Sequence, residues 1–372
     1  MSSSAPSLDP RNQANAPGPG KPRVSSGRKI NPLRREDIPE LSQFLTSGFG
    51  VAKDSPFFSP DVLAWKYFDS PSGLADNVVL SLVARSAGKI IGHIGICHRQ
   101  LVTTVDVAQP VSTIHAIDWL GSMEHPGTGA FLMLQAFNTS QTQYAVGGSA
   151  DAQAVFPRLG FESKPKLIVY RKILAPLHRL RMTDQSVFRK VAGTAKDIAR
   201  VWTSPVPQIT NPVELRSTSA FTAEIDSLVP TSAMPSMICR RDHRLLNYFL
   251  RYPLSGFSGW TIHFAGKLIG YALSKVTDDG SIRRGKLVDC WLNTEEVSVW
   301  QSTIEELVKC LRSQSVDAVT CYASTPKLQD ALLSNGFATW GERNVYIRDK
   351  QQALPRDLPF AVSMLEADHA IL

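Results

Sequence analysis

The sequence is poor in cysteine. It has five in 372 residues, scattered singly at Cys97, Cys239, Cys290, Cys310 and Cys321, with no CxxC pair. An odd number at irregular spacing argues against a disulfide framework and against a metal site of zinc type, and suits reduced, buried thiols in a cytoplasmic protein. Long apolar runs are missing too: no stretch approaches the roughly 18 apolar residues that a membrane-spanning helix needs. Residues 1–29 are rich in Ser, Pro, Gly, Asn and Ala and hold no apolar run of signal-peptide type. Such a composition cannot bury enough apolar surface to offset the cost of ordering, so this part reads as a disordered tail. Acidic residues are scarce in one place. Residues 171–200 carry eight basic side chains against Asp184 and Asp197, which accounts for six of the chain's net seven positive charges.

The rest of the chain is written twice. Leu63-Ala64-Trp65-Lys66-Tyr67-Phe68-Asp69-Ser70-Pro71 returns as Leu246-Asn247-Tyr248-Phe249-Leu250-Arg251-Tyr252-Pro253, and Ala87-Gly88-Lys89-Ile90-Ile91-Gly92 as Ala265-Gly266-Lys267-Leu268-Ile269-Gly270. Leu159-Gly160-Phe161, with Val169-Tyr170 after it, returns as Asn335-Gly336-Phe337 with Val345-Tyr346. The offsets, taken from Pro71 to Pro253, Gly92 to Gly270 and Tyr170 to Tyr346, are 182, 178 and 176. A period this long is a duplicated domain rather than a solenoid unit. The reading is a first domain over 30–172, a basic helical linker over 173–212, a second domain over 213–350 and a C-terminal tail over 351–372.

Apolar spacing predicts a helix from residue 35 onward and another over 57–68, then strands over 78–84, 90–99 and 111–120. A loop over 121–129, a helix from Ala130, a strand over 144–147, a helix over 150–159 and a strand over 167–172 complete the first copy. The second copy repeats the order. This is an α/β pattern with a mixed, mostly antiparallel sheet flanked by helices. In the linker, Phe188, Val191, Ala195, Ile198 and Trp202 recur at spacings of three and four, which predicts a helix docked by its apolar stripe, its basic face in water. A peripheral membrane or an acidic partner is the other use of that segment.

Glu124-His125-Pro126-Gly127-Thr128-Gly129-Ala130 joins a strand to an apolar helix. Glycine lets the backbone pass close to a ligand, and a helix N-terminus gathers free N–H groups, so the loop is a candidate phosphate cradle. A tight helix entry explains the same glycines without any ligand. In the second copy the corresponding stretch is Asn293-Thr294-Glu295-Glu296-Val297-Ser298, with no Gly-x-Gly. Its carboxylates suit the first turn of an ordinary helix capped by Thr294, and do not suit a bound pyrophosphate.

The layout resembles the GCN5-related N-acetyltransferase superfamily, the GNAT fold. The likeness rests on the two glycines of residues 124–129, on Ala152, Gly160 and Phe161 of the late signature, on Glu36-Asp37 and on the Gly-Lys-Ile-Ile-Gly hairpin. It implies two tandem GNAT-like domains, the second degenerate. It also implies that Glu124, His125, Gly127, Thr128, Gly129 and Ala130 hold acetyl-CoA or another acyl-CoA as co-substrate, with no metal. The activity it implies is N-acetyl transfer to a small-molecule amine. An amino sugar in polysaccharide assembly is one such acceptor. Two positions depart from the family: Glu124 stands where Gln or Arg is usual, and Phe156 where a tyrosine often protonates the leaving thiolate. Phenylalanine has no proton to give, which leaves Tyr144 and, more weakly, Tyr170 as substitutes. For the base, the strand before the loop offers Asp118 first and His115 second, three residues apart and so on opposite faces. Asp118 has a counterpart in Asp289, which speaks for a structural role. The rival to an enzyme is a non-catalytic binding or scaffold protein that kept the fold. Specific nucleic-acid recognition is not expected, because the basic segment lacks interleaved aromatics.

Overall fold

The computed structural model describes residues 28–69, 71, 78–103, 110–181, 186–203, 205, 210–228, 236–278 and 280–367. All but the last two residues of the tail expected over 1–29 lie outside them. The first half runs β1 (Lys29–Pro32), α1 (Ile38–Gly48), α2 (Pro60–Phe68), β2 (Ser81–Ser86), β3 (Lys89–Thr103), β4 (Val111–Gly121), α3 (Thr128–Ala136), β5 (Thr142–Val146), α4 (Ala150–Val155) and β6 (Glu162–Ile173). After α5 (Val187–Thr203) come β7 (Glu214–Thr218), β8 (Met237–Cys239), α6 (His243–Leu250), β9 (Phe257–Phe264), β10 (Lys267–Asp278), β11 (Arg283–Leu292), α7 (Val297–Ser313), β12 (Ala318–Ala323), α8 (Pro326–Ser334), β13 (Ala338–Asp349) and β14 (Phe360–Ala361).

Local chemistry sets several of these boundaries. Ala87 and Gly88 have φ of 49° and 81°, and Ala265 and Gly266 have 49° and 78°. Two successive left-handed residues form the turn whose twist matches an antiparallel hairpin, so β2–β3 and β9–β10 close in the same way. The helix expected over 57–68 is interrupted at Ser59, which is extended at ψ 151°, and α2 starts at Pro60, where a missing N–H costs nothing. Thr294 does not cap α7. Glu296 holds that position, and Thr294 instead accepts a hydrogen bond from the Glu296 N–H at 3.2 Å.

The strands join into one mixed, mostly antiparallel sheet in the order β1-β2-β3-β4-β5-β13-β6-β12-β11-β10-β9-β7, with β8 pairing β3 and β14 pairing β8. β4–β5, β11–β12 and β8–β14 are parallel. The order at the centre is not that of two self-contained halves. β13, from the C-terminal half, lies between β5 and β6, while β6 reaches across to pair with β12. One face of the sheet carries α1, α2 and α6, and the other carries α3, α4, α7 and α8. On the first face Trp65 of α2 and Tyr248 of α6 stack with ring centroids 4.1 Å apart. They also exchange hydrogen bonds: Trp65 Nε1 donates to the Tyr248 carbonyl at 3.3 Å, and Tyr248 Oη donates to the Trp65 carbonyl at 3.2 Å. The two halves therefore share one core rather than touching at a polar interface.

Two sequence expectations change here. The segment expected as a C-terminal tail from residue 351 is part of the core as far as Ala367: Leu354, Phe360, Val362, Met364 and Leu365 are buried in the central cluster. The α5 helix is turned the other way from its predicted docking. Its buried residues are Thr194 and Asp197, and its apolar stripe faces out. The reason is an ion pair: Arg179 Nε reaches Asp197 Oδ2 at 2.5 Å and anchors the polar side of the helix against the turn at Pro176–Arg181.

Candidate functional site

The site begins at a bulge in β4. His93 pairs with Leu120 and Gly95 with Ile117, so Ile94 alone opposes both Asp118 and Trp119. Asp118 takes φ of 48°, in the left-handed region that a non-glycine residue occupies only when its surroundings hold it there. The holding groups are visible. Lys66 Nζ contacts Asp118 Oδ2 at 2.9 Å, Tyr67 Oη donates to the same oxygen at 2.5 Å, and His93 Nδ1 lies 2.9 Å from the Asp118 carbonyl. Lys66 also sits 3.7 Å over the Phe57 ring.

The bulge corrects the expected geometry of the candidate bases. His115 and Asp118 were expected on opposite faces, but the extra residue turns Asp118 toward α2, on the face that His115 also meets. Burial works to raise the Asp118 pKa, but the Lys66 charge and the hydrogen bonds from Tyr67 and Lys66 outweigh it and hold the carboxyl below its ordinary value. A carboxylate so committed is a weak base. His115 stacks on Tyr144 with centroids 4.8 Å apart, and both line a cavity of about 50 Å³ with Lys66, Trp65, Tyr248 and Glu366. That space holds a water or two. Tyr144 is 1% exposed, and burial above all pushes its hydroxyl well above the ordinary phenol pKa, which makes it a poor proton donor. Tyr170 is buried in the other core cluster, with α7 and α8. The cavity shares Pro71, His98 and Arg99 with an open cleft of about 500 Å³, whose walls include Arg240, Arg244 and Asp242. Asp242 is spent on capping α6, accepting from the Leu245 N–H at 2.9 Å, so the cleft mouth is basic.

His93 gives a testable pH effect. It is fully buried, its ring bonded to the Asp118 carbonyl and to Ser81 Oγ, and burial outweighs those contacts to lower its pKa to about 4. In the unfolded chain the value returns to about 6.5, so between the two the folded state binds fewer protons. The stability this neutral histidine supports is complete above the unfolded value and is lost as pH falls toward the folded one. Urea unfolding should therefore weaken between pH ~6.5 and ~4 by up to about 3 kcal/mol more in the wild type than in His93→Gln. Equal slopes in the two proteins would refute this assignment.

β4 and β5 part before the bulge: their pairing ends at His115 and Tyr144. Trp119 enters the gap from the other face. Its Nε1 donates to the Gly129 carbonyl at 2.8 Å, and its ring stacks on Phe156 at 6.2 Å. Phe156 in turn lies 4.9 Å from Tyr346, which β13 brings from the C-terminal half. The loop then closes onto α3. Gly127 is the helix cap, exposed at φ 83°, and the Thr128 hydroxyl donates to the His125 carbonyl at 2.7 Å. A Cβ on Gly129 would stand 3.2 Å from Trp119 Nε1, and one on Gly121 2.8 Å from the Gly129 nitrogen, so strand and helix meet at glycine spacing. The N–H groups of the first turn, Gly129 and Ala130 among them, have no partner within the helix. Arg28 Nη1 reaches the Pro126 carbonyl at 3.1 Å and brings a positive charge to this cradle. Glu124 is exposed at the loop's outer side. A glycine cradle, open amides and a guanidinium fit a pyrophosphate.

Sequence reasoning missed several of these groups. Arg28 falls in the stretch that reads as a tail, and Tyr346 belongs to the other half. Lys66 and Tyr67 lie within the repeated segment, where a lysine in an apolar helix was the available signal.

The second half repeats the plan in part. Asp289 follows a bulge in β11 and is held by Tyr271 Oη at 2.8 Å and Arg241 Nε at 2.7 Å. At α7 no glycine loop is present, and Glu295 pairs with Lys327.

Solved structures with the fold of the GCN5-related N-acetyltransferases are similar to this chain. A GCN5-related N-acetyltransferase from Anabaena variabilis matches with a TM-score of 0.58 at 14% identity, over 87% of this chain and 72% of its own. A probable N-acyltransferase from Enterococcus faecalis matches at 0.56 and 11%, with the same coverage. A GCN5-related N-acetyltransferase from Kribbella flavida matches at 0.54 and 12%, over 86% and 71%. At such identities the likeness is one of fold. No family profile matches the sequence, and no curated protein is significantly similar to it.

Proposed function

We propose that the chain is an N-acyltransferase that moves an acetyl or other acyl group from acyl-CoA to a small-molecule amine in the cytoplasm. In this reading it is built from two tandem copies, of which the first binds the donor and the degenerate second completes the cleft. The observation that carries the reading is the cradle of Gly127 and Gly129 at the start of α3, with Arg28 beside it. In the transfer the amine attacks the thioester carbonyl, the C–N bond forms and the C–S bond breaks. The amine gives up a proton and the thiolate takes one. With Asp118 held by Lys66, His115 becomes the first candidate for the base. Tyr346, packed on Phe156, is the first candidate for the acid. The acceptor class we favour is an amino sugar, and the basic mouth formed by Arg99, Arg240 and Arg244 suits one that also bears an acidic group.

Titration calorimetry with acetyl-CoA tests the donor site. Gly129→Asp places a carboxylate at the phosphates and forces Trp119 aside. It should weaken binding by about tenfold to several hundredfold, the effect of a like charge at close range near a protein surface. Absence of heat with the wild type at millimolar acetyl-CoA would sink the enzyme reading. The second reading, a binding protein that kept the fold, is favoured by Trp119 standing in the gap and by Phe156 lacking a proton. CoA release with a panel of amines separates the two: binding without turnover supports the second.

A further inference from the structure

We propose that α5 and the turn before it form a surface that docks on anionic lipid bilayers. The helix is inverted relative to an ordinary linker helix. Thr194 and Asp197 face the protein, while Phe188, Val191 and Trp202 are 82%, 57% and 86% exposed. Leu177 and Leu180 of the preceding turn are exposed as well. Phe188 and Trp202 are fourteen residues apart, so the stripe runs for about 21 Å. At 100° per residue, Arg189 and Lys196 fall about 80–100° round the helix from Phe188, across the water-facing arc from the stripe, while Arg200 is held by Asp197 at 3.9 Å and by the Trp340 ring. A ridge with an aromatic residue at each end and cations along one side suits burial at the headgroup boundary, where rings enter the acyl layer and cations meet lipid phosphates.

Charge decides between occupants. A second copy packed stripe on stripe about a twofold axis would cover the aromatic residues but leave Arg189 and Lys196 unmatched. An acidic protein partner would satisfy the charge, but it would need a groove to take a convex ridge with an aromatic at each end. A bilayer needs no such complementary shape. Among the described residues no helix is long and apolar enough to cross the membrane, so the attachment is to its surface.

The test is sedimentation of the full chain with phosphatidylcholine vesicles and with vesicles that also contain phosphatidylserine, at low and high salt. The expected result is cosedimentation with the anionic vesicles, weakened by salt, and a loss of tenfold or more in partitioning for Phe188→Glu/Trp202→Glu. Both side chains point outward, so the variant should melt as the wild type does. If it does not, the lipid and salt dependence of the unaltered chain decides alone. Failure to sediment with either vesicle overturns the proposal, as does equal binding by the variant. A wild type that is dimeric where the variant is monomeric, in analytical ultracentrifugation without lipid, assigns the face to a second copy instead.

Discussion

Arg241→Met should destabilise the protein by about 3–5 kcal/mol or more, the cost of breaking a buried ion pair by removing one partner. Arg241 is buried at the junction of β8 and α6. Its Nε meets Asp289 at 2.7 Å, its Nη2 meets Glu366 at 2.8 Å, and its Nη1 donates to the Cys239 carbonyl at 2.7 Å. Burial alone would lower its pKa, but the two carboxylates outweigh it and raise that pKa well above the ordinary value. One cation thus serves two buried anions, from β11 and from the C-terminal segment. Methionine fills much of the volume and leaves both carboxylates without their cation. The escape is protonation: burial already pushes the Glu366 pKa up, and loss of Arg241 would push it further. A carboxyl whose folded pKa lies above its unfolded value of about 4.3 contributes stability below that value and loses it as pH rises through the folded one. The deficit in urea unfolding should therefore shrink toward pH 4. A loss under 1 kcal/mol at pH 7 would mean that Arg241 does not hold this junction together.

What the sequence reveals of this fold is what neighbours in the chain decide. The two Ala-Gly-Lys turns, the glycines of residues 124–129 and the order of helices and strands all follow from local geometry, and the structure has them. The Asp118 bulge does not follow, because its φ is set by Lys66, Tyr67 and His93, which come from α2 and β3. Alternation along β4 predicts opposite faces for His115 and Asp118, and a single inserted residue reverses it. The α5 stripe is legible as a period, but the period does not say which side meets the protein. Asp197 decides that through Arg179. Residues 351–367 read as a tail because Ala353-Leu354-Pro355 and Leu358-Pro359 break any regular pattern. They are core because β8 and Arg241 receive them.

The exchange at the sheet centre carries the other large prediction. A chain ending at Phe337 should fail to fold in either half, although the first half is complete in sequence. β13 is the antiparallel partner of both β5 and β6. Val345 and Ile347 are 1% and 4% exposed in the central cluster, and each buried aliphatic side chain is worth about 1.5–3 kcal/mol. Losing both removes a large part of a typical stability of about 5–15 kcal/mol. β6 cannot slide over to repair the gap. Since β5 and β6 are both antiparallel to β13, they run parallel to each other, and β6 would have to reverse to take the vacant place in the same register. The truncated chain is left with two unpaired edges, which favours aggregation. Circular dichroism and size exclusion on chains ending at residues 181 and 337 test this, and cooperative melting of either as a monomer would refute it. The same topology makes a positive prediction. If the chain is cut between Thr203 and Glu214 and the pieces are expressed together, each supplies the strand the other lacks. They should copurify as a stable pair that melts in a single transition, because the core around Trp65 and Tyr248 belongs to both.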